Sequence, residues 1–368
     1  MPALELIFTG DLVLDEPDPD YWLAGIAPAI RAADIAIGHL EVPHSRCEKE
    51  MRGDIPAPGA DPDHLPALTR AGFTAVSLAG NHMADCGPQG IADTIEGLDG
   101  LGIRHAGAGA NLPAARAPAM ICRAGRTLAL LSYNCVGPEN SWASSDGAGC
   151  AYVRVETSDG SPIAPSAPLH RANAPSLEQM SLDIAIAREQ ADLVIVSLHK
   201  GIVHTPARLA PYERPIAQAA IDAGSDIVLG HHAHIIRGIE IYRGKPIFHG
   251  LGNGCVVTRA LSLNQSHPER AAWARRRREL FGFEPDPEYG LAPFHPEAIN
   301  AMLGRVRWHD DGRLETGFIP VHVEAPGRPT LAHGETAQRV TEYVERIARD
   351  GGLPPLAFAT TGEGVWLR

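Results

Sequence analysis

Short apolar runs of strand length alternate with amphipathic stretches through most of the chain. Residues 4–8 read as a first strand, 35–38 as a second and 73–78 as a third, separated by helical periods at 21–33 and 62–71. A helix over 91–101, a short strand at 102–107 and a hairpin of 119–122 with 127–132 follow. Residues 192–198 carry the strongest strand pattern, flanked by helices at 177–190 and 209–223, and 228–230 is a further buried run. A hairpin of 239–242 with 246–248 precedes a charged, then proline-rich insert at 260–300. Strands at 302–308 and 314–323, a helix at 335–349 and two short strands close the chain. Strands separated by helices predict an α/β fold with buried, largely parallel sheets. Two stretches without periodicity, 42–62 and 134–176, read as loops of the kind that border binding sites.

The apolar runs stop on side chains that bind metals. Val228-Leu229-Gly230 leads straight into His231, His232, Ala233 and His234. One histidine on an apolar face is usually a core residue with one hydrogen bond, but three within four positions repel when protonated, and a metal removes that conflict. The first run ends in Thr9-Gly10-Asp11, where Asp11 is either a turn residue or a site carboxylate. The second delivers His39 and Glu41, which share a face in an extended segment. The third stops at Ala79-Gly80-Asn81-His82, with Asn81 a turn residue or an amide-oxygen ligand. Asp85 beyond it is a helix cap or part of the site. The 192–198 run stops at His199. Five strands ending this way predict a site at the strand ends, with ligands enough for two divalent transition-metal ions. Mixed imidazole and carboxylate ligands suit Mn, Fe, Zn or Co better than Mg or Ca.

Composition narrows the partners. A formal charge of −12 over 368 residues argues against a general nucleic-acid binder. The basic run Arg275 to Arg278 is then a solvated helix face or an anion-holding patch. The N-terminus lacks a charged and apolar leader pattern, and no window approaches a membrane span, so a cytoplasmic protein without membrane contact is expected. Six cysteines without CxxC spacing read as free thiols. The expected partner is a small-molecule substrate, with self-association into a homo-oligomer left open.

Gly10-Asp11, Leu40-Glu41-Val42-Pro43, Gly80-Asn81-His82 with Asp85 and Gly87, His199-Lys200-Gly201, Gly230-His231-His232-Ala233-His234 and Leu251-Gly252-Asn253 occur in one order over residues 5–257. This order resembles the bacterial capsule-synthesis family, the CapA and PgsA type proteins, within the calcineurin-like metallophosphoesterase superfamily. The resemblance implies a four-layer α/β/β/α metallophosphatase sandwich. Residues 1–257 would be its core, 258–300 an insertion that can cover the site, and 301–368 strands and a helix completing or covering the core. It implies Asp11 and His234 on one metal, Asn81, His199 and His232 on the other, and Glu41 between them. His82, supported by Asp85, would act as general acid or stabilise the leaving group. Two such metals lower the pKa of a bridging water and orient it for attack. The implied activity is hydrolysis of a small anionic substrate at a phosphoester or an amide or lactone carbonyl by a metal-bridging hydroxide. The alternative is a non-hydrolytic assembly or binding protein for poly-γ-glutamate or a similar polymer.

The sequence departs from the pattern in three places. Asp11-Leu12-Val13 lacks the histidine of the common Asp-x-His, and His39 stands where capsule-type proteins usually have Asn. His39 therefore either completes the coordination or donates to substrate. Lys200-Gly201-Ile202-Val203-His204 replaces a Trp-Gly pattern and alters that wall of the pocket, which makes His204 a substrate-contact candidate. Asn253, His231 and His295 complete the candidates for substrate contact, His231 being placed also to back the ligands.

Overall fold

A computed structural model describes residues 3–47, 59–262, 266, 268–362 and 364–368, without the Arg278 side chain. Much of the expected 42–62 loop, part of the 260–300 insert and the Arg278 side chain thus lie outside the described residues. Two sheets face each other. The larger runs Phe358–Thr361, Gly364–Leu367, Leu314–Glu324, Asn300–Trp308, Leu4–Leu14, Ile35–Leu40, Ala75–Ser77, Arg104–Ala106, with Asn253–Val257 and Arg328–Leu331 paired beside that path. The smaller runs Ile236–Tyr242, Lys245–Leu251, Ile227–His232, Leu193–Lys200, Arg126–Asn134, Ala119–Arg123.

Apolar side chains sort into three layers. Leu6, Phe8, Ile37, Leu130, Ile195, Leu229 and Phe248 fill the space between the sheets. Trp22, Ile30, Leu68 and Leu98 pack helices on the outer face of the larger sheet, while Met180, Ile184, Ile216 and Ile221 do so on the smaller. The result is the α/β/β/α order, with both sheets buried on both faces, as parallel strands require. The helix Gly334–Asp350 adds Tyr343, Val344 and Ile347 to the inner layer. No helix among the described residues is long and apolar enough to cross a membrane, and Cys47, Cys122, Cys135, Cys150 and Cys255 are free thiols.

Differences from the sequence expectation have local causes. The first strand runs past residue 8 to Leu14, because it changes partners midway. Leu4 to Phe8 pair antiparallel with Asn300–Trp308, whereas Asp11 to Leu14 pair parallel with Asn253–Val257. The helical period at 21–33 is divided into Pro19–Leu23 and Ala27–Ala32, where Gly25 passes against the backbone of Pro329, an added Cβ lying 2.2 Å from its carbonyl oxygen. Within 134–176, Val155–Thr157 and Leu169–Ala172 form a small hairpin. Asp85 is not the cap of the helix Gly87–Gly100, whose N-cap is Cys86.

The change of partner depends on Gly10. An added Cβ there would lie 1.8 Å from the Gly252 carbonyl oxygen, the same oxygen that accepts from the Asp11 amide at 3.1 Å. Gly10→Ala is expected to cost at least about 3 kcal/mol or to prevent folding, since overpacking against backbone cannot relax by a rotamer change. Chemical denaturation measures this, and a midpoint equal to the parent's would show that the strand exchange tolerates a side chain.

Candidate metal centre and its cavity

The shift in register that follows Phe8 sets Asp11 opposite His39 on the neighbouring strand, and Asn253 opposite Asp11 on the other side. In the facing sheet His199 lies opposite His231, and Lys200 opposite His232. Strand alternation sends His199 into the cluster and Lys200 away from it. Lys200 pairs with buried Glu213 at 3.0 Å and donates to the His249 carbonyl at 3.1 Å, so it contributes nothing to the cavity wall.

Three ligand groups form, each with atoms within 4.8 Å of one another: Asp11, His39 and His199; Glu41, His199 and His232; Asp11, Glu41 and His234. Glu41 belongs to two of them, its Oε1 being 3.4 Å from His234 Nε2 and 4.0 Å from His199 Nε2. Asn81 Oδ1 lies 2.7 Å from His199 Nε2, and His232 Nδ1 lies 3.1 Å from that same nitrogen. These side chains are buried, yet His39 Nε2, both Glu41 oxygens, His199 Nδ1, His232 Nε2 and both His231 nitrogens have no hydrogen-bond partner among the described residues. Unpaired buried polar atoms cost several kcal/mol together. The donor set therefore fits divalent cations, which would replace those missing bonds.

Neighbouring residues orient the rings. Ser197 Oγ donates to Ser77 Oγ at 3.0 Å, and Ser77 Oγ donates to the Gly38 carbonyl at 3.4 Å. The Ser77 hydroxyl is then left to accept from His39 Nδ1, 2.9 Å away, which leaves His39 Nε2 as a bare acceptor facing the cluster. Asn253 Oδ1 likewise accepts from His234 Nδ1 at 2.9 Å, freeing Nε2 toward Glu41. Gly80 leaves room for the rings, since a Cβ there would sit 3.2 Å from His39 Nε2. His204, His232 and His234 hold φ of 53°, 85° and 52°, conformations disfavoured for side-chain-bearing residues and concentrated at functional sites.

Burial also fixes charge. It pulls His39, His231 and His232 down to about 3 and His199 well below its ordinary range, so these imidazoles are neutral, as metal ligands must be. Burial, then the Glu41 charge, pushes Asp11 up to about 7. For Glu41 burial opposes ionisation, but His234 above all brings it down to about 2. His234 is raised despite burial, chiefly by Glu41 and then Asp11.

Glu41, Asn81, His82, His204, His232 and His234 line a cavity; Asp11, His39, His199 and His231 lie behind its wall. His39 thus sits with the ligands and away from the substrate side. His231 stacks on His39 at 4.6 Å between ring centroids, with Nδ1 3.4 Å from Asp11 Oδ1. His82 Nδ1 lies 2.7 Å from Asp85 Oδ2. Asn253 and His295 line an adjacent cavity instead, and His295 Nδ1 accepts from the Glu297 amide. Of the basic run, Arg275 and Arg276 are exposed, whereas Arg277 is buried and donates to His204 Nε2 at 3.1 Å.

Sequence reasoning missed Ser77, Ser197 and Asp15. Asp15 lines the cavity, accepts from Thr258 Oγ1 at 2.7 Å, and is pushed up to about 6, mainly by burial. Alternation continued past Asp11 would have found it, because Val13 and Asp15 occupy the next positions of the same face.

The model of the family described as bacterial capsule synthesis protein PGA_cap matches residues 5–256. The "Probable polyglutamine synthesis accessory protein" of Mycobacterium tuberculosis is 36% identical over 52% of this chain and 47% of its own length, so this chain spans about half of that relative. The PGA biosynthesis protein CapA of Bacillus subtilis is 26% identical over 74% of this chain and 70% of its own. Among solved structures, the Thermus thermophilus sulfate thiohydrolase SoxB superposes with a TM-score of 0.41 at 11% identity, covering 90% of this chain and 46% of that one.

The buried histidines make the metal-free protein acid-sensitive. His39, His231 and His232 at about 3, and His44 and His249 at about 4, stay neutral when folded but protonate near 6.5 when unfolded. The unfolded state then binds more protons, and stability present above about pH 6.5 is lost as pH falls toward 4. Asp11 and Asp15 hold protons in the fold and oppose part of this loss. Urea unfolding in chelator is expected to lose a few kcal/mol between about pH 7 and 5. Equal midpoints at the two pH values would contradict neutral, buried imidazoles.

Proposed function

The chain belongs to the bacterial capsule synthesis protein family, and from that premise we propose that it is a binuclear-metal-dependent hydrolase of a small anionic substrate. The observation that carries this reading is Glu41, a buried carboxylate common to two ligand groups, with both oxygens lacking a hydrogen bond among the described residues. In the proposal Asp11 and His234, with His39, would hold one ion and Asn81, His199 and His232 the other, with Glu41 shared by both ligand groups. Manganese, zinc, iron or cobalt in these positions would supply Lewis acidity, activating water and neutralising charge on the attacked centre.

The protein's own groups handle the rest. Asp85 accepts from His82 Nδ1 and fixes the ring, so that in the proposal the other ring nitrogen is the one that would deliver a proton to the leaving group. His82, 12% exposed at its side chain, lines the cavity, where a departing group could meet it, and Asp85 backs it. A second reading, a non-hydrolytic assembly protein for an acidic polymer, draws on the names of the relatives, a capsule biosynthesis protein and a PGA biosynthesis protein.

Metal-loaded protein assayed on aryl phosphates, small amides and lactones separates the two. Turnover of one class, with kcat reduced about 10²- to 10⁴-fold in His82→Ala at unchanged metal content, is the expected result. Full turnover in that variant would remove His82 from the mechanism. No turnover of any class, together with binding of poly-γ-glutamate, would favour the assembly reading.

A further inference from the structure

The cavity beside the ligand cluster is mostly apolar. Val13, Val42 and Val256 line it together with Trp273, Phe281 and Phe294, which come from the segment between the strands Asn253–Val257 and Asn300–Trp308. Asp15, Glu41, Asn81, His82, Thr258 and the histidines give it a polar side as well, and two of its lining groups carry buried nitrogens without partners among the described residues. The Trp273 indole Nε1 is buried and has no hydrogen-bond partner among the described residues. An indole N–H can only donate, and buried ones usually find an acceptor. His204 is the second, 4% exposed, with Nδ1 buried and equally unpartnered.

The chemistry of Arg277 decides what His204 presents. Arg277 is 2% exposed, lies 5.7 Å from the ring centres of both Phe283 and Phe294, and places Nη2 3.1 Å from His204 Nε2. Burial lowers it only to about 10, so it stays charged at neutral pH and can only donate. His204 Nε2 must then accept, and the neutral ring carries its proton on Nδ1. A strained φ of 53° holds this residue in the wall. The cavity wall thus includes an indole N–H and an imidazole N–H that no acceptor among the described residues satisfies, beside the apolar Val13, Val42, Val256, Phe281 and Phe294.

We propose that this cavity selects a ligand with an apolar, aryl-sized body whose acceptor oxygen is taken by Trp273 Nε1–H and His204 Nδ1–H. This deepens the hydrolase reading and rests on it for the reaction, though not for the binding. It sets the substrate class apart from an extended polyanion, which brings no apolar group to fill such walls. Arg277 is a positioning residue, acting through the tautomer of His204.

Equilibrium binding of phenylphosphonate and methylphosphonate to metal-loaded protein, by calorimetry, tests this. Neither probe is hydrolysed, so a preference that survives failure of every turnover assay would retain the pocket and remove only the reaction. The phenyl compound is expected to bind on the order of tenfold tighter or more, from burial of the ring. Phe281→Ala should shrink that ratio while leaving methylphosphonate affinity nearly unchanged. Trp273→Phe, which keeps the apolar wall but removes the donor, should weaken both probes by roughly fivefold with the ratio kept. Equal affinities for the two probes in the parent protein, or no binding of either, would overturn the proposal without reference to any variant. Unchanged affinity in Trp273→Phe would overturn the role of the indole N–H.

Discussion

Neutral imidazoles and two carboxylates are buried together, where the ends of two facing sheets meet, and this desolvated cluster is what the surrounding structure has to accommodate. Hydrophobic burial cannot stabilise it, because each unpaired nitrogen and oxygen loses its bond to water on folding. The fold offsets part of that loss with Ser77, Ser197 and Asn253, which satisfy the outward-facing nitrogens of His39 and His234. His39 Nε2, both Glu41 oxygens and His232 Nε2 stay without hydrogen bonds among the described residues. A site that satisfies one side of its rings and leaves the other bare is arranged for a cation, and it is least stable without one.

Backbone geometry makes the cluster possible. The first strand exchanges one antiparallel neighbour for a parallel one at Gly10, which brings Asp11 between His39 and Asn253. Left-handed conformations at His232 and His234 turn successive side chains of one short segment into the same site. The apolar layers on either side hold these choices in place, because Leu6, Phe8, Ile195 and Leu229 fix the two sheets face to face.

Much of this was legible as pattern. Apolar runs that stop on polar, metal-capable side chains pointed to His39 with Glu41, Asn81, His199, and His232 with His234 at four strand ends, and the structure gathers them into overlapping groups. Other features required the third dimension. Asp11 was read at a strand end but lies inside a strand, since nothing in residues 9–14 announces the exchange of partners. His295 and Asn253 were expected at the substrate, whereas Asn253 orients His234 and His295 caps a short turn. Arg277 looked like one member of a solvated run, and only packing against Phe283, Phe294 and His204 distinguishes it from exposed Arg275 and Arg276.

In the proposed function the cluster would hold two ions organised on Glu41. The most direct measurement is the metal content per chain by elemental mass spectrometry, on protein purified without chelator or a histidine tag, before and after titration with manganese and zinc. About two transition-metal ions per chain are expected, falling to one or fewer in Glu41→Gln. No bound ion and no uptake on titration would contradict the proposal.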